Sequence, residues 1–167
     1  MTDFEKLLEK VELIVFDFDG VFTDNAVWIA ATGVETVRCS RSDGLGISKL
    51  RSIGIHMHIL STETNKVVSV RAEKLKLPVC QGVEDKSEGF LSICAEYGVA
   101  PANAAFMGND INDIPALKLA GIPIAVADAH EDILPYVLLK TTRAGGYGAV
   151  REFCDQIHKI KSASGSY

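Results

Sequence analysis

The sequence predicts a three-layer α/β fold, a parallel sheet with helices on both faces, from which one β-hairpin stands apart. Three observations point there. Short apolar runs alternate with amphipathic segments on short connections, which implies a parallel sheet covered on both sides. The run Leu13-Ile14-Val15-Phe16 is continuously apolar and too short for a membrane span, as a strand buried on both faces requires. Between Ala26 and Cys39 the alternation gives way to β-branched and aromatic residues on either side of a Thr32-Gly33 turn.

Taken in order, Phe4 to Lys10 is a short helix leading into the first strand, which ends in Asp17-Phe18-Asp19-Gly20. The hairpin spans about 25–40. An isolated hairpin is marginal in water and this one holds the only Trp of the chain, so its packing is expected from another subunit. Ser42-Asp43-Gly44 opens a helix with Leu45, Ile47, Leu50 and Ile53 on its apolar face, ended by Gly54. Ile55 to Leu60 is a strand that runs into Ser61-Thr62-Glu63. Asn65 to Leu77 is a helix bearing Arg71, Lys74 and Lys76, and Pro78 stops it. Val79-Cys80 is a brief strand, and a helix runs from Lys86 to about Tyr97. Ala104 to Gly108 is a strand followed by Asn109-Asp110-Ile111-Asn112-Asp113, which opens a helix from Pro115 to Ala120. A strand from Ile122 to Ala127, a short helix over Glu131 to Tyr136, the Gly145-Gly146-Tyr147-Gly148 loop and a last helix complete a Rossmann-like order. One domain over 1–161 is expected, with 162–167 as a frayed tail.

A chain of 167 residues, 47% hydrophobic, suits one domain with a substantial core. Its net charge of −5 and pI near 5.3 argue against nucleic acid or an anionic membrane as partner, since either wants a basic face. An anionic substrate must then be met by local cations or a metal. Cys39, Cys80, Cys94 and Cys154 show neither CxxC nor zinc-finger spacing and read as free thiols of a reducing compartment. The charged, amphipathic start is unlike a signal peptide, which makes the cytoplasm the expected location.

Asp17 and Asp19 share a face if the strand stays regular, so the two carboxylates repel unless the chain turns, for which Gly20 is suited, or a cation lies between them. Ligands of open α/β sheets bind outside the carboxyl ends of the strands. Asp17 with Asp19, Ser61, Lys86, and Asp110 with Asp113 all fall there. Singly, each has an ordinary explanation: Ser61 as a helix cap, Lys86 as a solvated lysine, Asp110 and Asp113 as a turn and its cap. Together they supply what phosphoryl transfer needs, namely a Mg²⁺ site, a cation, a hydroxyl and an oriented nucleophile. In that scheme Asp17 attacks phosphorus, Asp19 acts as acid and then base, and Asp110 completes a metal site with Asp17 and the carbonyl of Asp19. Asp113 supports the site or acts as an outer ligand.

Asp17-Phe18-Asp19-Gly20-Val21-Phe22-Thr23-Asp24, Ser61, Lys86 and Gly108-Asn109-Asp110-Ile111-Asn112-Asp113, in this order over essentially the whole chain, resemble the four motifs of the haloacid dehalogenase superfamily of phosphatases. The resemblance implies a Mg²⁺-dependent hydrolase whose nucleophile is Asp17. The hairpin in place of a cap domain, Ser42-Asp43-Gly44-Leu45-Gly46-Ile47 and Gly145-Gly146-Tyr147-Gly148-Ala149-Val150-Arg151-Glu152 are similar to the capless branch containing 3-deoxy-octulosonate 8-phosphate phosphatases. That branch implies a homotetramer in which hairpins form a central barrel and a neighbouring subunit covers the active site. Ser61-Thr62-Glu63 with Arg71-Ala72-Glu73-Lys74 resembles phosphatases of nine-carbon, sialic-acid-type 9-phosphates, and the related domain of acylneuraminate cytidylyltransferases. The implied substrate is thus a small sugar acid phosphate, with Glu63 reading hydroxyls and Arg71 or Lys74 its carboxylate; Asp43 joins this substrate-binding set. Arg143 or Arg151, flanking the glycine-rich loop, adds charge if that loop reaches an active site. The alternatives are the eight-carbon substrate, a noncatalytic oligomerisation domain, and a receiver-like phosphoaspartate domain. The paired Asp17 and Asp19 favour turnover over the last two.

Overall fold

The computed structural model describes residues 2–165. In chain order the elements are α1 (Asp3–Glu9), β1 (Leu13–Phe16), β2 (Thr23–Ile29), β3 (Glu35–Cys39), α2 (Arg41–Ser52), β4 (His56–Leu60), α3 (Lys66–Leu75), β5 (Val79–Cys80), α4 (Lys86–Tyr97), β6 (Ala104–Gly108), α5 (Ile114–Leu117), β7 (Ile122–Ala125), β8 (Leu139–Lys140) and α6 (Ala149–Ser164). Among the described residues the main sheet has the order β5-β4-β1-β6-β7-β8, parallel throughout, while β2 and β3 pair only with each other.

The side chains of β1 show why this strand is central. Ile14 and Phe16 enter one apolar core, with Ile47 and Leu50 of α2, Val68 of α3 and Phe153 and Ile157 of α6. Leu13 and Val15 enter a second core on the opposite face, with Phe90 and Ile93 of α4 and Leu117 of α5. Successive strand residues point to opposite faces, so an all-apolar strand needs a helical layer on each. β1 pairs with β4 on one side and β6 on the other, so the chain order reverses across it. The crevice outside their carboxyl ends is where an open α/β sheet binds its ligand.

Several elements differ from the sequence reading. β8 was not anticipated, because two residues carry no periodicity. α2 begins at Arg41, with the Ser40 side chain accepting from Ser42 N, one turn position earlier than Ser42-Asp43-Gly44 suggests. The segment Glu131–Tyr136 is 3₁₀ rather than α, with Pro135 inside it. The tail expected to fray from Ser162 instead continues α6 to Ser164, closed by Gly165 in the left-handed conformation; Ser166 and Tyr167 lie outside the described residues. No helix among the described residues is long and apolar enough to cross a membrane.

Candidate active site

β1 delivers Asp17 to the strand end, where its N–H still donates to Met107 O of β6 at 2.9 Å. The chain then turns sharply. Phe22 N donates to Phe18 O, Gly20 takes φ +75°, and Gly20 N donates to Thr23 Oγ1. That turn separates the carboxylates of Asp17 and Asp19, which a straight strand would stack. Asp17 is buried, and its Oδ1 accepts from Phe18 N and lies 2.7 Å from Lys86 Nζ, so the carboxylate is held in one orientation.

Lys86, the first residue of α4, is wholly buried and reaches Asp113 Oδ1 at 2.6 Å as well. Asp113 uses its other oxygen to accept from the N–H groups of Asn109 and Asp110. One ammonium therefore faces two buried carboxylates. Burial above all, then Asp113, pushes the Asp17 carboxyl up to about 7 against the opposing pull of Lys86. Burial would lower the Lys86 ammonium, but Asp17 and Asp113 raise it instead. Asp19 is also raised, by burial first and then by Glu63, with Glu35 of the hairpin adding a smaller part.

A cavity of about 190 Å³ opens above this floor, lined by Asp17, Asp19, Asn25, Ser61, Thr62, Asn109, Asp110 and Asn112. Ser61, at the end of β4, is buried; its Oγ accepts from Glu63 N, so it caps a turn while its hydroxyl proton remains free to donate into the cavity. Among the described residues no three His, Cys, Asp or Glu side chains form a ready metal cage. The donors that do face the cavity are hard oxygens beside a buried carboxylate short of positive charge, and this set fits Mg²⁺ rather than a soft metal.

A family model for haloacid dehalogenase-like hydrolases matches residues 46–145. The chain is 34% identical over 148 residues to the 3-deoxy-D-manno-octulosonate 8-phosphate phosphatase of Escherichia coli, covering 88% of this chain and 79% of that protein. It belongs to the haloacid dehalogenase-like hydrolases. Among solved structures, a HAD family hydrolase from Streptomyces avermitilis is 44% identical with a TM-score of 0.88, covering 93% of this chain and 90% of that one. The Moraxella catarrhalis 3-deoxy-D-manno-octulosonate 8-phosphate phosphatase, solved with magnesium, phosphate and KDO, is 29% identical with a TM-score of 0.93, covering 99% and 96%.

Within this hydrolase, Asp17, Asp19, Ser61 and Asp110 meet at the cavity, and Lys86 lies beneath it. Asp113 stands behind Lys86 with both oxygens engaged, which makes it the anchor of the lysine rather than a ligand facing the cavity. The residues expected to read the sugar do not line the cavity. Glu63 folds back so that Oε1 accepts from Thr64 and Asn65 N–H, although its charge still reaches Asp19. Arg71 donates to Ser40 O and shares a groove between α2 and α3 with Arg41 and Lys74. Asp43 is buried: its Oδ1 accepts from Arg151 N in the first turn of α6, whose N-cap Gly148 has no side chain to do so. Asp43 thus caps a neighbouring helix and does not line the cavity.

The sequence reading missed Asn25 and Asn109. Asn25 adopts φ +62° at the cavity edge, and Asn109 follows the β6 strand end just as Asp17 follows that of β1. The glycine-rich loop also has an unforeseen place. Gly146 N donates to Val21 O, and Gly145 packs so tightly on the turn after β1 that a Cβ there would fall 1.7 Å from Gly20 O. Arg38 of the hairpin clamps the loop from outside, donating to Gly146 O and stacking 4.1 Å over the Tyr147 ring. The loop buttresses its own active site.

Proposed function

We propose that this hydrolase is a Mg²⁺-dependent phosphatase that acts on the phosphate monoester of a 2-keto-3-deoxy sugar acid, with the eight-carbon 3-deoxy-D-manno-octulosonate 8-phosphate as its substrate. The observation that carries the chemistry is the buried Asp17–Lys86–Asp113 chain, which presents a fixed carboxylate to a cavity shared with Asp19. The substrate rests on the 34% identity to phosphatases named for that ester.

The chain's own residues divide the work. An oxygen of Asp17 bonds to phosphorus as the bond to the sugar oxygen breaks, and Asp19 gives that oxygen its proton. Asp19 then takes a proton from water, whose oxygen displaces Asp17 and releases inorganic phosphate. The raised carboxyl of Asp19 has the direction a general acid needs near neutral pH. Lys86 fixes the Asp17 rotamer, and the Ser61 hydroxyl is placed to bind a phosphoryl oxygen. Asp17, the Asp19 main-chain oxygen and the Asn109-Asp110 corner would hold Mg²⁺, which would supply charge neutralisation for the phosphate.

A second reading, a nine-carbon sialic-acid-type 9-phosphate, is favoured by the charge of Glu63 acting on Asp19 and by the cationic groove of Arg41, Arg71 and Lys74. The hairpin serves assembly in either case. Val27, Trp28, Ile29 and Val34 are 50–70% exposed on a two-stranded ribbon, an apolar surface suited to a homotetramer core. Four free thiols agree with the cytoplasm as its compartment.

Phosphate release with Mg²⁺ from the eight-carbon and nine-carbon esters, with hexose phosphates as controls, tests this reading. The highest kcat/KM is expected on the eight-carbon ester. Preference for the nine-carbon ester would transfer the assignment to the second reading, and no release from any ester would refute both.

A further inference from the structure

The cavity above Asp17 has about 190 Å³, below the roughly 300–1,000 Å³ of pockets that enclose a whole small ligand, so it takes the phosphoryl group and the carbons next to it. Among the described residues, Asn25 is the only one lining it that comes from the hairpin strand β2. Its N–H donates to Thr23 Oγ1 at 3.2 Å, and the same oxygen accepts from Gly20 N at 3.0 Å. One hydroxyl thereby ties Asn25 to the turn that follows Asp19, the acid for the leaving oxygen. The pairing of β2 with β3 shifts register between Thr23 and Val27, and Asn25 takes φ +62° within that irregularity. Bulges of this kind re-aim a side chain and concentrate beside active sites. The other described non-glycine residue at positive φ is Lys76, which closes α3 as its C-cap; Asn25 has no helix to close. Its carboxamide makes no hydrogen bond among the described residues and stands at the mouth of the cavity.

We infer that Asn25 determines specificity: its carboxamide binds the hydroxyl on the carbon next to the phosphate ester, so the site favours monoesters of vicinal diols. The inference rests on the phosphatase reading above and holds for either sugar acid. The eight-carbon 8-phosphate carries that hydroxyl on C7, and the nine-carbon 9-phosphate carries it on C8. A carboxamide offers an NH₂ donor and an oxygen acceptor, the two functions that a hydroxyl needs. Few residues take the left-handed conformation at little cost. Of these, glycine would bring no group, and Asp would add a further charge to a cavity that already holds Asp17, Asp19 and Asp110. Asn brings both hydrogen-bonding functions without that repulsion of an incoming phosphate.

Steady-state phosphate release by the full chain with Mg²⁺ tests this on a matched pair of esters. The pair is 3-deoxy-D-manno-octulosonate 8-phosphate with its 7-deoxy analogue, or the nine-carbon 9-phosphate with its 8-deoxy analogue, whichever parent ester wild type hydrolyses faster. Wild type should show a kcat/KM roughly three- to tenfold higher on the hydroxylated ester, the size of one hydrogen bond between neutral groups. Asn25→Gly keeps the positive φ and removes the carboxamide. It should lose that advantage, leaving the two esters within about twofold of each other, while its thermal melt stays near that of wild type. Equal kcat/KM on both esters in wild type, a comparison that needs no variant, would overturn the inference. So would a gap that survives in Asn25→Gly. A wild-type chain that releases phosphate from no ester would instead overturn the phosphatase reading beneath it.

Discussion

Replacing Lys86 by Met separates what the lysine does for the fold from what it does for catalysis. The side chain is wholly buried, and its ammonium is the cation shared by Asp17 and Asp113. Met keeps the aliphatic volume and removes the charge, leaving two carboxylates in a low-dielectric site. Breaking a buried ion pair in this way costs about 3–5 kcal/mol. For a domain of this size each kcal/mol lowers Tm by about 2–4 °C, so a fall of roughly 6–20 °C is expected in thermal melts at pH 7.5. Adding Asp113→Asn removes one of the two stranded charges, and its amide can still accept from the Asn109 and Asp110 N–H groups through its oxygen. The double variant should therefore recover a large part of the lost Tm. Phosphatase activity should not recover, because Asp17 still lacks the donor that holds its Oδ1. A Lys86→Met protein that melts with wild type, or a double variant that regains activity, would refute the assigned role.

Three further outcomes follow from other parts of the molecule. Gly145→Ala must move its Cβ out from 1.7 Å off Gly20 O to an ordinary contact; a shift of about 1.5 Å in the catalytic turn should lower kcat by about 100-fold, whereas Gly54→Ala, facing open space, should leave kcat intact. His58 is buried with Nε2 unpartnered, and burial lowers its pKa, so the unfolded chain binds the proton more tightly; the denaturant stability of His58→Leu relative to wild type should therefore rise as pH drops from 7 to 5, and a constant difference would refute the contribution. Trp28→Glu on the exposed hairpin should reduce the assembled mass in light scattering while the monomer stays folded, and an unchanged mass would remove the hairpin from the interface.

The fold was legible because its signals are local and strong. An apolar run such as Leu13–Phe16 can satisfy its backbone and bury all its side chains only as a central strand, and the alternation with helices then forces a parallel sheet. The convergence at the cavity was legible for a related reason: Asp17, Ser61, Lys86 and Asp110 each follow a strand or open a helix, so topology alone brings them together. What was not legible depends on side-chain direction across long sequence separations. Asp43 reads in the sequence as a residue of the site, and only the fold shows its carboxylate capping α6, 108 positions away. Gly145 and Gly146 read in the sequence only as part of a glycine-rich loop ahead of the last helix, and the close approach to Gly20 is what shows a buttress. Asn109 carried no acidic signal, yet its carboxamide stands between the two aspartates.

The central claim, that Asp17 is the nucleophile, is most directly tested by trapping the covalent intermediate. Wild-type protein with Mg²⁺ and its best ester is acid-quenched during turnover, reduced with borohydride and digested for mass spectrometry. An acyl phosphate at Asp17 is reduced to homoserine, so the peptide carrying Leu13 to Asp19 should show that conversion at Asp17, and Asp17→Asn should show neither conversion nor phosphate release. Conversion at Asp19, or rapid phosphate release with Asp17 unmodified, would contradict the mechanism.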